Sequence, residues 1–137
     1  MKQKKAAAKK KHKKKIVLAY SGGLDTSIIL KWLQENFNAE VIAFTADIGQ
    51  EINKKKIVYN AKNLGVKNII IEDLQDEFVK EYVFPMIRGH AVYEGVYLLG
   101  TSIARPLIAK AQIKVAKKFK AYACLLYTSD AADDRMR

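Results

Sequence analysis

The sequence predicts an α/β fold on an incomplete, doubly wound parallel sheet of Rossmann-like architecture. Three observations carry that expectation. Apolar runs of strand length recur at 16–20, 40–46 and 68–71, and each is followed by residues with apolar side chains at helical spacing. A polar turn with two glycines, Ser-Gly-Gly-Leu-Asp-Thr-Ser at 21–27, stands between the first strand and the first helix. Strand alternating with helix selects parallel pairing and right-handed crossovers.

The elements follow in order. The run 16–20 is continuously apolar, as a strand buried on both faces requires. A helix over 27–36 carries Ile29 and Leu33 on one face, with Phe37 continuing it. EVIAFTA at 40–46 is the second strand. Residues 51–64 space Ile57, Ala61 and Leu64 at 3.6 residues, and Gly65 is a natural stop. NIII at 68–71 is the third strand. A helix from about residue 76 turns Phe78, Val79, Tyr82 and Val83 inward, and Pro85 is expected to kink or end it. The clearest period lies at 103–119, where Ile103, Leu107, Ala111, Val115 and Phe119 step by four. The next strand should begin near Ala121. The last 14 residues, CLLYTSDAADDRMR, break the pattern and resemble translated adapter sequence. Residues 124–137 are therefore expected to be a non-native tail, with an ordinary frayed terminus as the alternative, and residues 16–123 the N-terminal part of a ligand-binding domain.

Charge is distributed unevenly. The chain of 137 residues carries a net +11, yet residues 1–15 hold nine lysines and no acid, and the remainder is close to neutral. The basicity is that of a solvated, self-repelling tail, or of a loose, salt-sensitive RNA contact without sequence preference. No apolar stretch follows it that is long enough for a signal peptide or a membrane span. The single cysteine, Cys124, excludes an internal disulfide, which suits a cytoplasmic protein.

The turn 21–27 offers a site. It follows a parallel strand and opens a helix, where backbone N–H groups and the helix dipole favour an anion. Gly22 and Gly23 let the main chain approach phosphate oxygens, and Ser21, Thr26 and Ser27 add hydroxyls. Asp25 repels phosphate by itself, so it either caps the helix or holds a magnesium ion bridging the phosphates. Neither a P-loop, which needs Gly-Lys-Ser/Thr, nor the dinucleotide fingerprint Gly-x-Gly-x-x-Gly is present. Lys31 lies too far into the helix to replace the P-loop lysine and is expected to be solvated.

Ser-Gly-Gly-Leu-Asp-Thr-Ser resembles the pyrophosphate loop (PP-loop) of AMP-forming ATP pyrophosphatases. That likeness implies a HUP-type, adenine nucleotide alpha hydrolase-like sheet. Together with IAFTADIGQE at 42–51, EDLQDEFVKEYVFP at 72–85 and YLLGTSIARPLIAKAQIKVAKK at 97–118, it is similar to the argininosuccinate synthase family over 16–118. The resemblance implies an ATP-dependent ligase that joins citrulline and aspartate. Ala19, Tyr20, Ser21, Gly22, Gly23, Leu24, Asp25, Thr26 and Ser27 match the family's ATP-phosphate loop, and Asp25 would be its catalytic and magnesium-holding residue. Ala46 matches a position whose backbone meets adenine, or is simply a small core residue. Tyr97 and Ser102 match citrulline-contacting positions. By themselves they read equally as a core aromatic and as the N-cap of the helix 103–119. Arg105, a cation opposing the helix dipole, invites an anion such as the citrulline carboxylate, or a surface acid. His90 reads as packing or surface.

The resemblance also implies a cytoplasmic homotetramer acting on small molecules, with no specific nucleic acid and no membrane. The family's second glycine-rich turn and aspartate site have no counterpart in the chain, so it is expected to be an inactive N-terminal fragment. Two rivals stand beside this reading. Other PP-loop enzymes, tRNA-modifying or amidating, bring cysteines or a glutaminase domain that a lone Cys124 does not supply. A basic-tailed RNA-binding module would need basic residues and exposed aromatics on the globular surface.

Overall fold

The structure, a computed structural model, describes residues 13–126. Of the lysine-rich segment 1–15 expected as a tail, Lys15 opens β1; the expectations for 1–12 and for 127–137 fall outside the described residues. The elements are β1 (Lys15–Ala19), α1 (Leu24–Asn36), β2 (Glu40–Asp47), α2 (Lys54–Asn63), β3 (Asn68–Asp73), α3 (Gln75–Phe78), a π-helical turn (Val79–Val83), α4 (Phe84–Arg88), α5 (Gly100–Phe119) and β4 (Ala123–Leu125).

All pairings are parallel and the strand order is β3-β2-β1-β4. The chain builds outward from β1 through β2 to β3, then crosses back to pair β4 with the other edge of β1. The order therefore reverses at β1, and the crevice beyond its carboxyl end is where such sheets bind ligands.

Side-chain alternation sorts the core into two layers. Ile16, Leu18, Tyr20, Val41 and Ala43 face α1 and α2, where Leu30, Leu33, Ile57 and Ala61 meet them. Val17, Ile42, Phe44 and Ala46 face the opposite side, against Leu107, Ala111 and Val115 of α5 and Leu74 ahead of α3. Leu30 and Leu107 are fully buried, and each such side chain contributes about 1.5–3 kcal/mol relative to exposure. Gln112 of α5 is buried among them. Its Nε2 donates to Val17 O at 3.1 Å and to Leu125 O at 2.9 Å, bridging β1 and β4.

Several boundaries differ from the sequence reading. The first helix begins at Leu24, inside the polar turn, and Phe37 is exposed, edge-on to Trp32 instead of in the core. The second begins at Lys54, because the Asn53 side chain accepts from Lys56 N at 3.0 Å and caps it there. Pro85 ends nothing: a π turn precedes it, and α4 continues to Arg88. The wider turn relieves the clash between a proline ring and the preceding carbonyls, so the chain stays helical through the proline. Val79, expected inward, is exposed. The last helix starts at Gly100, three residues early, after Leu99 in the left-handed region (φ 54°). The fourth strand takes in Cys124 and Leu125, so the sheet runs past the boundary expected at residue 123.

Candidate functional site

Tyr20 fixes where the chain leaves β1. It is buried, its N–H donates to Phe44 O at 2.7 Å, and its carbonyl accepts from Thr45 Oγ1 at 2.5 Å. Its hydroxyl shares a hydrogen bond with Ser27 Oγ at 3.1 Å. The turn then closes on itself. Ser21 Oγ lies 3.1 Å from Thr26 Oγ1 and accepts from Gly23 N at 3.3 Å, while Ser27 Oγ donates to Gly23 O at 2.7 Å.

Gly23 is the N-cap of α1, and no side chain caps it. The N–H groups of Leu24, Asp25 and Thr26 thus open the helix without intrahelical acceptors, at its positive end. Asp25 is exposed in this first turn and takes no part in the turn's hydrogen bonds among the described residues. The capping alternative for Asp25 therefore has no geometric support.

Gly22 requires its glycine. It has φ 78°, and a Cβ there would lie 2.9 Å from Ile57 Cγ1. From the same helix, Asn60 Nδ2 donates to Gly22 O at 3.1 Å.

Beside the turn lies a cavity of about 240 Å³, bordered by Ala19, Tyr20, Ser21, Thr26, Thr45 and Ala46. A second cavity, of about 700 Å³, adjoins it across shared walls at Ile108 and Leu126. Arg105 borders the second, with Gly49, Gln50 and Thr101. Arg105 is the sixth residue of α5, beyond the first turn where it was expected, so the helix dipole weighs on it less.

Ser102 is exposed within the first turn of α5 and is not its cap. Pro106 has no N–H, so the carbonyl of Ser102 lacks its usual donor four residues on. Tyr97 is half-buried in a turn closed by an antiparallel bridge to Tyr93. Neither Tyr97 nor Ser102 is among the residues bordering the second cavity. The structure thus gathers Ala19, Tyr20, Ser21, Thr26 and Ala46 around one cavity and Arg105 against the next, while Gly22, Gly23, Leu24, Asp25 and Ser27 belong to the same turn without bordering that cavity. His90 is exposed, and Lys31 pairs at the surface with Glu35 at 3.4 Å.

Other residues shape the site without having been singled out. Gln50 clasps the end of β2: its Nε2 donates to Ala46 O and its Oε1 accepts from Ile48 N, both at 2.8 Å. Asp47 is buried and accepts from Gly49 N and Gln75 Nε2, each at 3.2 Å, and from Lys54 Nζ at 2.8 Å. The Lys54 hydrogen bond, followed by that of the Gly49 amide, holds the Asp47 carboxyl below the usual carboxylate range; Asp47 in turn raises Lys54. An Asp followed by a glycine directly after an apolar strand was the available signal for this loop.

Residues 15–137 match the family model described as Arginosuccinate synthase N-terminal HUP domain. The chain belongs to the argininosuccinate synthase family. It is 76% identical over 127 residues to the argininosuccinate synthase of Pelagibacter ubique (strain HTCC1062), covering 93% of this chain and 32% of that protein. To that of Ehrlichia canis (strain Jake) it is 69% identical over 104 residues, 76% of this chain and 26% of that protein. The chain spans about a quarter to a third of the length of these argininosuccinate synthases.

Among solved structures, the fold is similar to an NAD+ synthetase from Burkholderia pseudomallei (TM-score 0.60, 18% identity, 80% of this chain and 44% of that chain). It also matches an NH3-dependent NAD synthetase from Campylobacter jejuni (TM-score 0.57, 15% identity, 83% and 47%). Argininosuccinate synthase family membership and these neighbours agree on an α/β sheet of HUP type. No described helix is long and apolar enough to cross a membrane.

Proposed function

We propose that this chain is the nucleotide-gripping part of an argininosuccinate synthase, an AMP-forming carbon–nitrogen ligase that joins citrulline to aspartate with ATP in arginine biosynthesis. The observation that carries the reading is the turn 21–27. It combines hydroxyls, a glycine in the left-handed region and unpaired helix-start amides at the point where the sheet order reverses.

In this reading the backbone and hydroxyls of Ala19–Ser27 take the β and γ phosphates, and Ala46 borders the base. Among the described residues no cluster of three acidic, histidine or cysteine ligands could hold a metal alone. Magnesium commonly binds through one carboxylate plus substrate phosphates, and exposed Asp25 at the mouth of the turn fits that donor set. When bound, the ion would neutralise charge on the departing pyrophosphate.

Tyr97, Ser102 and Arg105 are assigned to citrulline, with the Arg105 guanidinium on its carboxylate. The walls that the two cavities share, with Arg105 bordering the second, support an acceptor bound beside the nucleotide. The citrulline ureido oxygen attacks the α phosphorus, the bond to the β phosphate breaks, and pyrophosphate leaves against the turn's amides. The aspartate amine then attacks the activated carbon and AMP departs. Aspartate is assigned to the remaining two thirds of the relatives' length, as is assembly into a cytoplasmic homotetramer.

Calorimetry of this chain tests the reading. ATP with magnesium should bind more tightly than AMP, and AMP about as well as adenosine, because the turn grips the terminal phosphates. Equal affinities for ATP and adenosine would sink it. With citrulline and aspartate added, the chain alone should release no argininosuccinate, since a partner without a site contributes no effective molarity.

A further inference from the structure

The turn 21–27 is steered from outside by α2. Asn60, half-buried on that helix, reaches across to donate Nδ2 to Gly22 O at 3.1 Å. Gly22 O and Gly23 N–H belong to the same planar trans peptide, so they point in opposite directions. Holding the carbonyl against α2 therefore aims the amide the other way, into the turn, where it meets Ser21 Oγ at 3.3 Å.

A peptide between two glycines is the easiest kind to rotate, because neither flanking residue has a Cβ to resist. A rotated peptide would turn a carbonyl oxygen toward an incoming phosphate, where an N–H is needed. Ile57, one turn earlier on α2, closes the space beside Gly22. Contact and hydrogen bond thus come from one rigid element.

We propose that Asn60 is a positioning residue for phosphate recognition: it holds the Gly22 carbonyl so that the Gly23 N–H keeps facing into the turn, where it donates to Ser21 Oγ and can pass from that hydroxyl to a phosphate oxygen. The inference rests on the ATP reading above. Its consequence is selective. Loss of Asn60 should affect the phosphates and spare the base, which the ATP reading assigns to Ala46 near the end of β2.

The test uses the whole chain, with Asn60→Leu removing the donor at similar size and Asn60→Asp replacing it with an acceptor. Calorimetry with magnesium and ATP should show an affinity loss of about ten-fold for Asn60→Leu, as for one hydrogen bond to a charged partner, and at least as much for Asn60→Asp. Adenosine affinity should stay within about two-fold. Nitrogen-15 relaxation dispersion should detect exchange at Gly22 and Gly23 in Asn60→Leu and none in the wild type. Equal losses for ATP and adenosine, or Gly23 signals unchanged in both variants, would overturn the proposal. If the wild type binds neither nucleotide, the ATP reading fails, and the Gly23 dispersion still decides whether Asn60 sets the peptide. Melting followed by Trp32 fluorescence reports folding, and Asn60→Ser, polar but too short to reach, replaces any variant that unfolds.

Discussion

Lys54 Nζ lies 2.8 Å from Asp47 Oδ2, tying the first residue of α2 to the last residue of β2. Because the folded Asp47 pKa lies below its ordinary 3.8, its contribution is present above that value and is lost as pH falls through the folded pKa. Lys54 is raised above its ordinary 10.5, so its contribution is present below that value and is lost as pH rises through the folded pKa. Lys54 is half exposed, and solvent screening keeps the pair modest. Asp47→Asn is expected to lower the melting temperature at neutral pH and to flatten its fall in acid. Melts by circular dichroism from about pH 2 to 7, spanning the carboxylate range, read both effects. An acid limb as steep as the wild type's would mean that other carboxylates set it.

Gly22→Ala should destabilise the fold by about 1–3 kcal/mol, combining left-handed backbone cost with the contact at Ile57. Urea denaturation measures it. Adding Ile57→Ala should remove only the steric share relative to Ile57→Ala alone, and full recovery would show that φ costs nothing there.

Asp25→Asn should weaken magnesium-dependent ATP binding by about 1–3 kcal/mol, the loss of a charge-assisted contact, with a smaller effect when magnesium is chelated. The fold should be untouched, since Asp25 is exposed and caps nothing. Equal losses with and without magnesium would assign Asp25 a role other than the ion.

Ser102→Ala should leave the melting temperature unchanged, because Leu99 holds the N-cap position of α5 and the Ser102 side chain does not cap it. In a full-length relative the same change is expected to raise the citrulline KM and spare that for ATP. A rise in both, or a loss of stability alone, would count against the citrulline assignment.

The order of elements was legible because apolar runs and helical periods are local signals, and the turn 21–27 concentrated its chemistry in seven adjacent positions. What escaped the sequence depended on distant partners. Gln112 reads as a surface residue until two strand carbonyls, Val17 O and Leu125 O, are seen to share its amide. Asn60 sits among lysines and a tyrosine, and nothing local says that Gly22 lies within its reach. Pro85 signalled a break, but a π turn absorbed it. Arg105 was placed one turn too early because glycine, threonine and serine disguise the start of α5, leaving the apolar period to begin at Ile103.

The pairing of Ile16 with Ala123 joins residues roughly a hundred positions apart, whereas β1 meets β2 after a single helix. Closing so long a loop costs more chain entropy than the local crossovers, and the reward comes only once α5 is in place. On a ribosome the first three strands and α1 emerge and pair well before β4 exists. Leu126, which borders both cavities, is among the last of the described residues to be synthesised. The nascent chain therefore carries the turn 21–27 before it has the crevice wall that Leu126 supplies.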